Sequence, residues 1–405
     1  MNSSLSGKKI LLGVSGSIAA YKAAEWVRHL RRAGAAVQVV MTPGATRFVA
    51  PLTFAALSGQ PVYTEMFAAQ AGETMPHIDL GKDCDLILLA PATAQTIARL
   101  AHGFASQLLD TVVLAAICKV LLCPAMNSRM YLHPATQDNL RRLGEFGYEV
   151  LTPDSGALAC GEEGPGRLPE WSAVWPRLQA VFCPQDLLGQ KILVTAGPTR
   201  EPLDPVRFLG NPSSGKMGYA LAATACQRGA RVTLVSGPTH LAPPPGVEFI
   251  SIETAAEMAE LVLARAQEYS LIAKCAAVAD FRPARHETHK IKKSAAPTTL
   301  ALLPNPDILL ELGRRKRQDP TFPFLLGFAA ESENHRQEGL RKLRAKNLDL
   351  IVVNDILNPE SGFAVDSNRV LLLDREERET QLPLLSKEET AHRIWEAVAQ
   401  LLART

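Results

Sequence analysis

GKKILLGVSGSIAAYKAAEWVRHLRRAGAAVQVVM, residues 7–41, contains one complete strand–loop–helix–strand unit. Lys9–Val14 is an apolar run of strand length. Ser15, Gly16 and Ser17 form a small-residue turn, and Ile18–Arg32 follows as a helix. In that helix Ala20, Ala23, Ala24, Val27 and Leu30 give one apolar face at a period of about 3.6 residues. Gly34 suits the helix stop, and Val37–Met41 is the return strand. A second unit opens at GQKILVTAGPTR, residues 189–200. There Ile192–Thr195 reads as strand, Lys216–Arg228 as helix, Gly229 as cap and Val232–Val235 as the next strand. The matching letters carry little weight, because many α/β domains open on a basic residue and an apolar strand. The matching order of elements carries more. Further strands are expected at Asp85–Ala90, Val120–Pro124, Leu271–Ala276, Phe324–Phe328 and Leu350–Val353. Such alternation predicts an α/β protein of two Rossmann-like domains, each a mainly parallel sheet flanked by helices. The domains are expected at 1–188 and 189–405, joined near Val181–Leu188.

A length of 405 residues agrees with two hydrophobic cores. Composition is that of a soluble globular chain, 47% hydrophobic and 21% charged. The formal charge of +2 gives no electrostatic reason to expect nucleic acid or an anionic membrane as partner. MNSSLSGKKI lacks the apolar core of a secretory signal, and no apolar run approaches the ~20 residues that span a bilayer. The seven cysteines form no CxxC pair, which argues against a disulfide framework or thiolate zinc and for a cytoplasmic setting.

Ligands of open α/β sheets sit at the carboxyl ends of strands, where helix N-termini present free N–H groups. Gly13-Val14-Ser15-Gly16-Ser17-Ile18 is therefore a candidate phosphate loop, though it is not GxGxxG. Thr93 can cap the helix after Ala90–Ala92, and Asn127 follows the strand ending at Cys123-Pro124. DSGALACGEEGPGR, residues 154–167, is a Gly-rich polar loop with one thiol, Cys160. A cysteine outside the core gains weight as proton donor or nucleophile.

GVSGSIAAYK, HIDLGKDCDLILLAPATA, PAMNSRMY and ACGEEGPGR, in this order, resemble the flavin-dependent phosphopantothenoylcysteine decarboxylases over about the first 180 residues. The resemblance implies a fold of the flavin-containing cysteine decarboxylase type, with FMN as cofactor and a homo-oligomer whose sites are shared between subunits. A cysteine carboxylate has no electron sink of its own. The resemblance implies that the flavin first oxidises the CH2–S unit by two electrons to a thioaldehyde, which accepts the electrons left by CO2. The resemblance places flavin contacts at Gly13, Ser15, Gly16, Ser17, Thr42, Ala92 and Thr93. It gives His77 a part in the oxidative step, Asn127 the carboxylate and Cys160 the final proton. Without it, His77 reads as a strand-end residue and Asn127 as a turn asparagine. This chain departs from the family pattern at Ser17, at Ala105-Ser106-Gln107 and at Cys123.

In the second half, Gly210–Met217 mimics GxxxxGK[ST] but fails at Met217, which has no hydroxyl for Mg2+, and the preceding Pro-Leu-Asp-Pro-Val-Arg reads as a poor strand. A P-loop ATPase is thereby rejected. TAGPTREPLDPVR, SSGKMG, CAAVADFRP, KIKK, NPDI, GFAAE and KNLD resemble phosphopantothenate–cysteine ligases across most of 189–400. The resemblance implies that 4′-phosphopantothenate is activated by CTP as an acyl-cytidylate, and that cysteine then displaces CMP. By motif, Asn211 orients the acyl phosphate. Lys290, Lys342 and Lys346 hold phosphates, with Lys292 and Lys293 close to Lys290 in sequence. Cys275, Ala276, Asp280, Pro306, Asp307, Ile308, Leu309 and Phe328 shape the nucleotide pocket. Mg2+ is expected with the triphosphate, its protein ligands unknown. Gly210 and Pro212 depart from the family's usual flanks of Asn211. The joint order of the halves resembles the bifunctional bacterial enzymes of coenzyme A synthesis. The alternatives are a flavin-binding regulatory protein that has kept the fold, and a nicotinamide-dependent reductase, which the missing GxGxxG disfavours.

Overall fold

The computed structural model describes residues 5–67, 75–291, 299–331, 333–355 and 365–404. The chain divides into two compact units between Phe182 and Cys183. The first unit begins with β1 (Lys9–Val14), α1 (Ala20–Arg32), β2 (Ala36–Met41), α2 (Pro51–Ser58), β3 (Val62–Tyr63) and α3 (Pro76–Lys82). Then come β4 (Leu86–Ala92), α4 (Ala94–Ala101), α5 (Leu108–Ala115), β5 (Lys119–Pro124), α6 (Ser128–Leu132) and α7 (Pro134–Glu145). It ends with β6 (Glu149–Val150), β7 (Asp154–Ala157), β8 (Glu163–Arg167) and α8 (Trp171–Phe182).

Six strands form one parallel sheet in the order β3-β2-β1-β4-β5-β6. The chain reverses its direction of travel between β1 and β4, so a crevice opens above their carboxyl ends. Strand residues alternate between two cores. Ile10, Leu12 and Val14 pack on one face with α1 and α8, and Leu11 packs on the other with α4 and α5. Burial on both faces explains why these strands read as continuous apolar runs. Gly13 belongs to the sheet interior, where an added Cβ would collide with Leu89 and Leu109. It spaces a packing layer. Helix α1 starts two residues later than its apolar pattern suggests, because Ser17 Oγ accepts the Ala19 N–H and holds a turn there.

The expected Gly-rich loop around Cys160 is a β-hairpin. β7 and β8 run antiparallel, with Gly156 opposite Gly164 and Ala157 opposite Glu163. Gly156, Gly164 and Gly166 take φ of 145°, 154° and 140°, a region that side chains with a Cβ rarely enter. A Cβ on Gly166 would overlap the Met126 carbonyl oxygen, and Met126 N–H donates to Gly166 O at 2.9 Å. Those glycines thus bring the hairpin against the turn that carries Asn127.

The second unit opens with β9 (Lys191–Ala196), β10 (Arg200–Pro202), β11 (Phe208–Gly210), α9 (Lys216–Gln227), β12 (Arg231–Ser236) and β13 (Glu248–Ser251). It continues through α10 (Ala255–Arg265), β14 (Leu271–Lys274), β15 (Phe281–Pro283), β16 (Leu302–Pro304), α11 (Ile308–Gln318) and β17 (Phe324–Glu331). The last elements are α12 (His335–Ala345), β18 (Leu350–Asp355), β19 (Ser367–Asn368), β20 (Val370–Asp374), β21 (Glu379–Gln381), β22 (Leu385–Ser386) and α13 (Lys387–Leu402). The main sheet runs β13-β12-β9-β14-β17-β18-β20-β21. Its first six strands are parallel, and β20 and β21 close the edge in antiparallel fashion. The switch point lies between β9 and β14. Helices α9 and α13 cover one face, with Trp395 buried against α9, while α10, α11 and α12 cover the other. Strand β14 stops at Lys274, short of the expected Ala276. Thr195 Oγ1 accepts both the Cys275 and Ala276 N–H at 3.1 Å and draws the chain off the ladder.

Candidate active sites

In the first unit, four strand ends converge. Ser15 is buried and staples two of them: its hydroxyl donates to Pro91 O at 2.7 Å and accepts the Thr93 N–H at 2.9 Å. Gly16 lies so near the Gly44 backbone that a Cβ would sit 2.9 Å from the Gly44 carbonyl carbon. Thr42 Oγ1 accepts the Ala45 N–H at 3.3 Å, and Thr93 N-caps α4 through the Thr96 N–H. Ala92 is the buried last residue of β4. Ser15, Gly16, Thr42, Ala92 and Thr93 therefore tie these strand ends together, beside the cavity lining and not within it. Among the residues expected to touch the flavin, Ser17 lines the cavity that opens there.

That cavity, about 490 Å³, lies between the Ser17–Lys22 stretch, Ala125–Asn127 and the hairpin turn. At its edge Asn127 Nδ2 donates to Cys160 Sγ at 3.1 Å and to Glu162 Oε2 at 2.7 Å, while Asn127 Oδ1 caps α6 by accepting the Arg129 N–H. Arg129 pairs with Glu162 at 3.0 Å. Both amide hydrogens of Asn127 are thus committed. Glu162, not singled out from the sequence, joins this cluster through Asn127 and Arg129. The signal was there, since it stands two residues beyond the thiol in ACGEEG. Cys160 is the one exposed cysteine among the described residues. His77 is elsewhere: it lies in the first turn of α3, outside this cavity, with Nδ1 buried and unpartnered among the described residues.

The second unit holds a cleft of about 380 Å³ above the β9–β14 switch point. Cys275, Ala276, Asp280, Pro306, Asp307, Ile308, Leu309, Phe328, Lys342 and Lys346 all line it, together with Asn211. Asn211 Nδ2 donates to Ala277 O at 3.3 Å and Val278 O at 3.1 Å, so its side chain positions the loop after β14. Asp307 Oδ1 caps α11 through the Leu310 N–H at 3.0 Å, and Lys346 pairs with Asp307 at 2.8 Å. Burial pushes the Asp307 carboxyl upward, but the Lys346 and Leu310 hydrogen bonds outweigh it and hold the group below its ordinary range. Lys342 pairs with Glu331. Lys290 is not brought into the cleft. It is exposed, next to Ile291, whose N–H donates to Asp204 at 3.2 Å and whose carbonyl accepts from Arg207 at 3.0 Å. Lys292 and Lys293 lie outside the described residues.

Lys274 is the lysine that sequence reading missed, because a cation at a strand end looks like a solvated one. It is 8% exposed and lines the cleft, and no hydrogen bond or ion pair holds its ammonium among the described residues. Burial pushes the ammonium down to about 8, against the pull of Cys275 and Asp307 and helped by Lys346. An unfolded lysine keeps its proton to about pH 10. Between those values the unfolded chain binds more protons, so stability rises with pH there, and the full penalty stands below pH 8. Lys274→Met is therefore expected to stabilise the protein at pH 7 by roughly 3 kcal/mol at most. The gain should fade by about pH 10, as read by urea denaturation at both values.

Both units thus belong to the doubly wound, Rossmann-like class of α/β folds, one carrying an exposed thiol at its cleft and the other a group of lysines. Residues 1–182 match the Flavoprotein family, and residues 187–402 match the DNA/pantothenate metabolism flavoprotein C-terminal domain. A coenzyme A biosynthesis bifunctional protein CoaBC of Vibrio cholerae is 46% identical over 393 residues, covering 96% of this chain and 98% of its own. Its Escherichia coli counterpart is 47% identical over 389 residues, covering 95% of each. The crystal structure of the C-terminal domain of a CoaBC protein is 41% identical, with a TM-score of 0.47, over 55% of this chain and 100% of its own. The chain belongs to the CoaBC family of bifunctional coenzyme A biosynthesis enzymes.

Proposed function

We propose that residues 189–405 join cysteine to 4′-phosphopantothenate at the expense of CTP, and that residues 1–188 decarboxylate the product to 4′-phosphopantetheine with FMN. One observation carries the reading for the first unit: Asn127 and Cys160 meet at 3.1 Å on the rim of a cavity at the switch-point edge. The residues present suit a flavin. Small residues at Gly16 and Ser17 let the backbone approach a phosphate at the start of α1, and the cavity lining is mostly apolar around Ile18, Ala125 and Leu158. Bound there, FMN would supply the two-electron sink. Asn127 holds the substrate carboxylate, and the Cys160 S–H delivers the closing proton.

In the second unit Lys342 and Lys346 neutralise the triphosphate. The substrate carboxylate oxygen attacks the α-phosphorus, and pyrophosphate leaves. The cysteine nitrogen then attacks the acyl carbon, forming the amide as the C–O bond to CMP breaks and the amine loses a proton. Among the described residues no cluster of three His, Cys, Asp or Glu side chains is arranged for a metal. Mg2+ would therefore ride mainly on phosphate oxygens. His77 lies outside its own chain's cavity, which favours a homo-oligomer completing the site from two copies. The substrates are small molecules, and no helix among the described residues is long and apolar enough to cross a membrane. The free thiols favour a cytoplasmic setting.

Purified protein given CTP, Mg2+, 4′-phosphopantothenate and cysteine should release pyrophosphate and then CO2. Absence of pyrophosphate overturns the ligase half, and absence of flavin absorbance overturns the decarboxylase half. Exchange of CTP for ATP tests the base preference.

A further inference from the structure

We infer that the side of the second cleft facing α9 and α13 is a subsite for an α-amino acid, bound by its amine and carboxylate; this rests on the ligase reading above. Of the nucleotide-pocket residues, Asp307, Lys342 and Lys346 extend from α11 and α12 and their flanks on the other face, while Cys275 and Phe328 pack on the α9–α13 face and adjoin this side. The α13 side is built by different pairings. Strand β18 places Asn354 opposite Val370 of β20, and β19 places Asn368 opposite Leu385, two residues before Lys387. Asn354, Asn368, Lys387 and Lys216 line the same cleft as Asn211.

Asn368 is 4% exposed, and its Oδ1 is buried without a hydrogen-bond partner among the described residues. The Oδ1 of Asn354 shares that condition. Among the described residues the Asn368 amide nitrogen reaches only Met217 Sδ, at 3.7 Å. A buried acceptor left unmade costs about 1–3 kcal/mol, and native structures keep few of them without a reason. Both residues line the cleft, and a turn of either side-chain amide would carry its unpaired oxygen to an N–H donor bound there. Beside them stand cations: Lys387 is nearly buried, and Lys216 is held by Asp366 at 2.6 Å. Amide oxygens for an amine next to ammoniums for a carboxylate are the complement of an amino acid. The same cations serve the chemistry, since nearby positive charge lowers the pKa of a bound ammonium. The attacking nitrogen must be neutral.

The test separates the two half-reactions. Pyrophosphate release from CTP and 4′-phosphopantothenate without cysteine reports activation alone, and amide formation reports capture. Asn368→Leu should raise the KM for cysteine about tenfold to a hundredfold while leaving pyrophosphate release within about twofold. Asn368→Asp, which keeps acceptor oxygens, should stay near the parent KM. Lys387→Met should raise the KM for cysteine but not for cysteamine, which lacks the carboxylate. An unchanged cysteine KM in Asn368→Leu overturns the subsite. So does equal damage from Asn368→Asp, or loss of pyrophosphate release in Asn368→Leu, which would assign the residue to activation. Absence of pyrophosphate release in the parent enzyme would instead overturn the ligase reading.

Discussion

Cys160→Ser is expected to lower steady-state formation of 4′-phosphopantetheine by about a thousandfold, within the range of 10²–10⁴ contributed by a positioned proton donor. The substitution removes one sulfur and keeps the shape, so a merely structural residue would tolerate it. An aliphatic hydroxyl is a far weaker acid than a thiol, whose ordinary pKa is about 8.5. The proton is needed only after CO2 has left. A first equivalent of CO2 should therefore still appear, and FMN, if bound as the electron sink, would then not regain its oxidised absorbance. Rapid-mix absorbance of the flavin, followed beside trapped CO2, reads both. Full turnover in Cys160→Ser would remove Cys160 from the chemistry and leave the Asn127 contact, at 3.1 Å, as packing of the hairpin turn.

Asn211→Asp should cut amide formation by about 10²–10³, the size of effect seen when one preorganised donor is lost from a charge-stabilising site. The native amide donates to the carbonyls of Ala277 and Val278. A carboxylate there faces two carbonyl oxygens with no proton to offer, and repels the acyl phosphate as well. The loop after β14 then loses its anchor in the same cleft as Lys342 and Lys346. Decarboxylation of added phosphopantothenoylcysteine by the same variant should be unchanged, since that cavity belongs to the other unit. Equal loss of both activities would point to unfolding. Intact ligation would show that Asn211 only decorates the loop.

Local pattern accounts for what could be read from the letters. β1, β4, β9 and β14 are continuous apolar runs because both faces of each are covered, and α1 carries its apolar face at helical spacing. Gly34 and Gly229 close their helices with positive φ, as the sequence anticipates. Given parallel sheets, the carboxyl ends had to carry the clefts, while Asn127, Asn211, Asp307 and Phe328 were named within them by their resemblance to family motifs. Less legible were roles within those loops. The Ser15 hydroxyl bridges Pro91 and Thr93, and Gly16 admits the Gly44 backbone, and neither meeting is written in the letters around them.

Periodicity and turn chemistry, which act over a few residues, were enough to determine two doubly wound α/β units and the loops where ligands gather. Segment-to-segment meetings were decided by the tertiary structure alone. Gly166 lets the Cys160 hairpin settle on Met126, the burial of Lys274 follows from the layers closing around β14, and Asn354 and Asn368 come together through antiparallel pairings at the sheet's edge. The reason is physical: desolvation and close packing depend on which distant surfaces exclude water together, and no local spacing of letters encodes that.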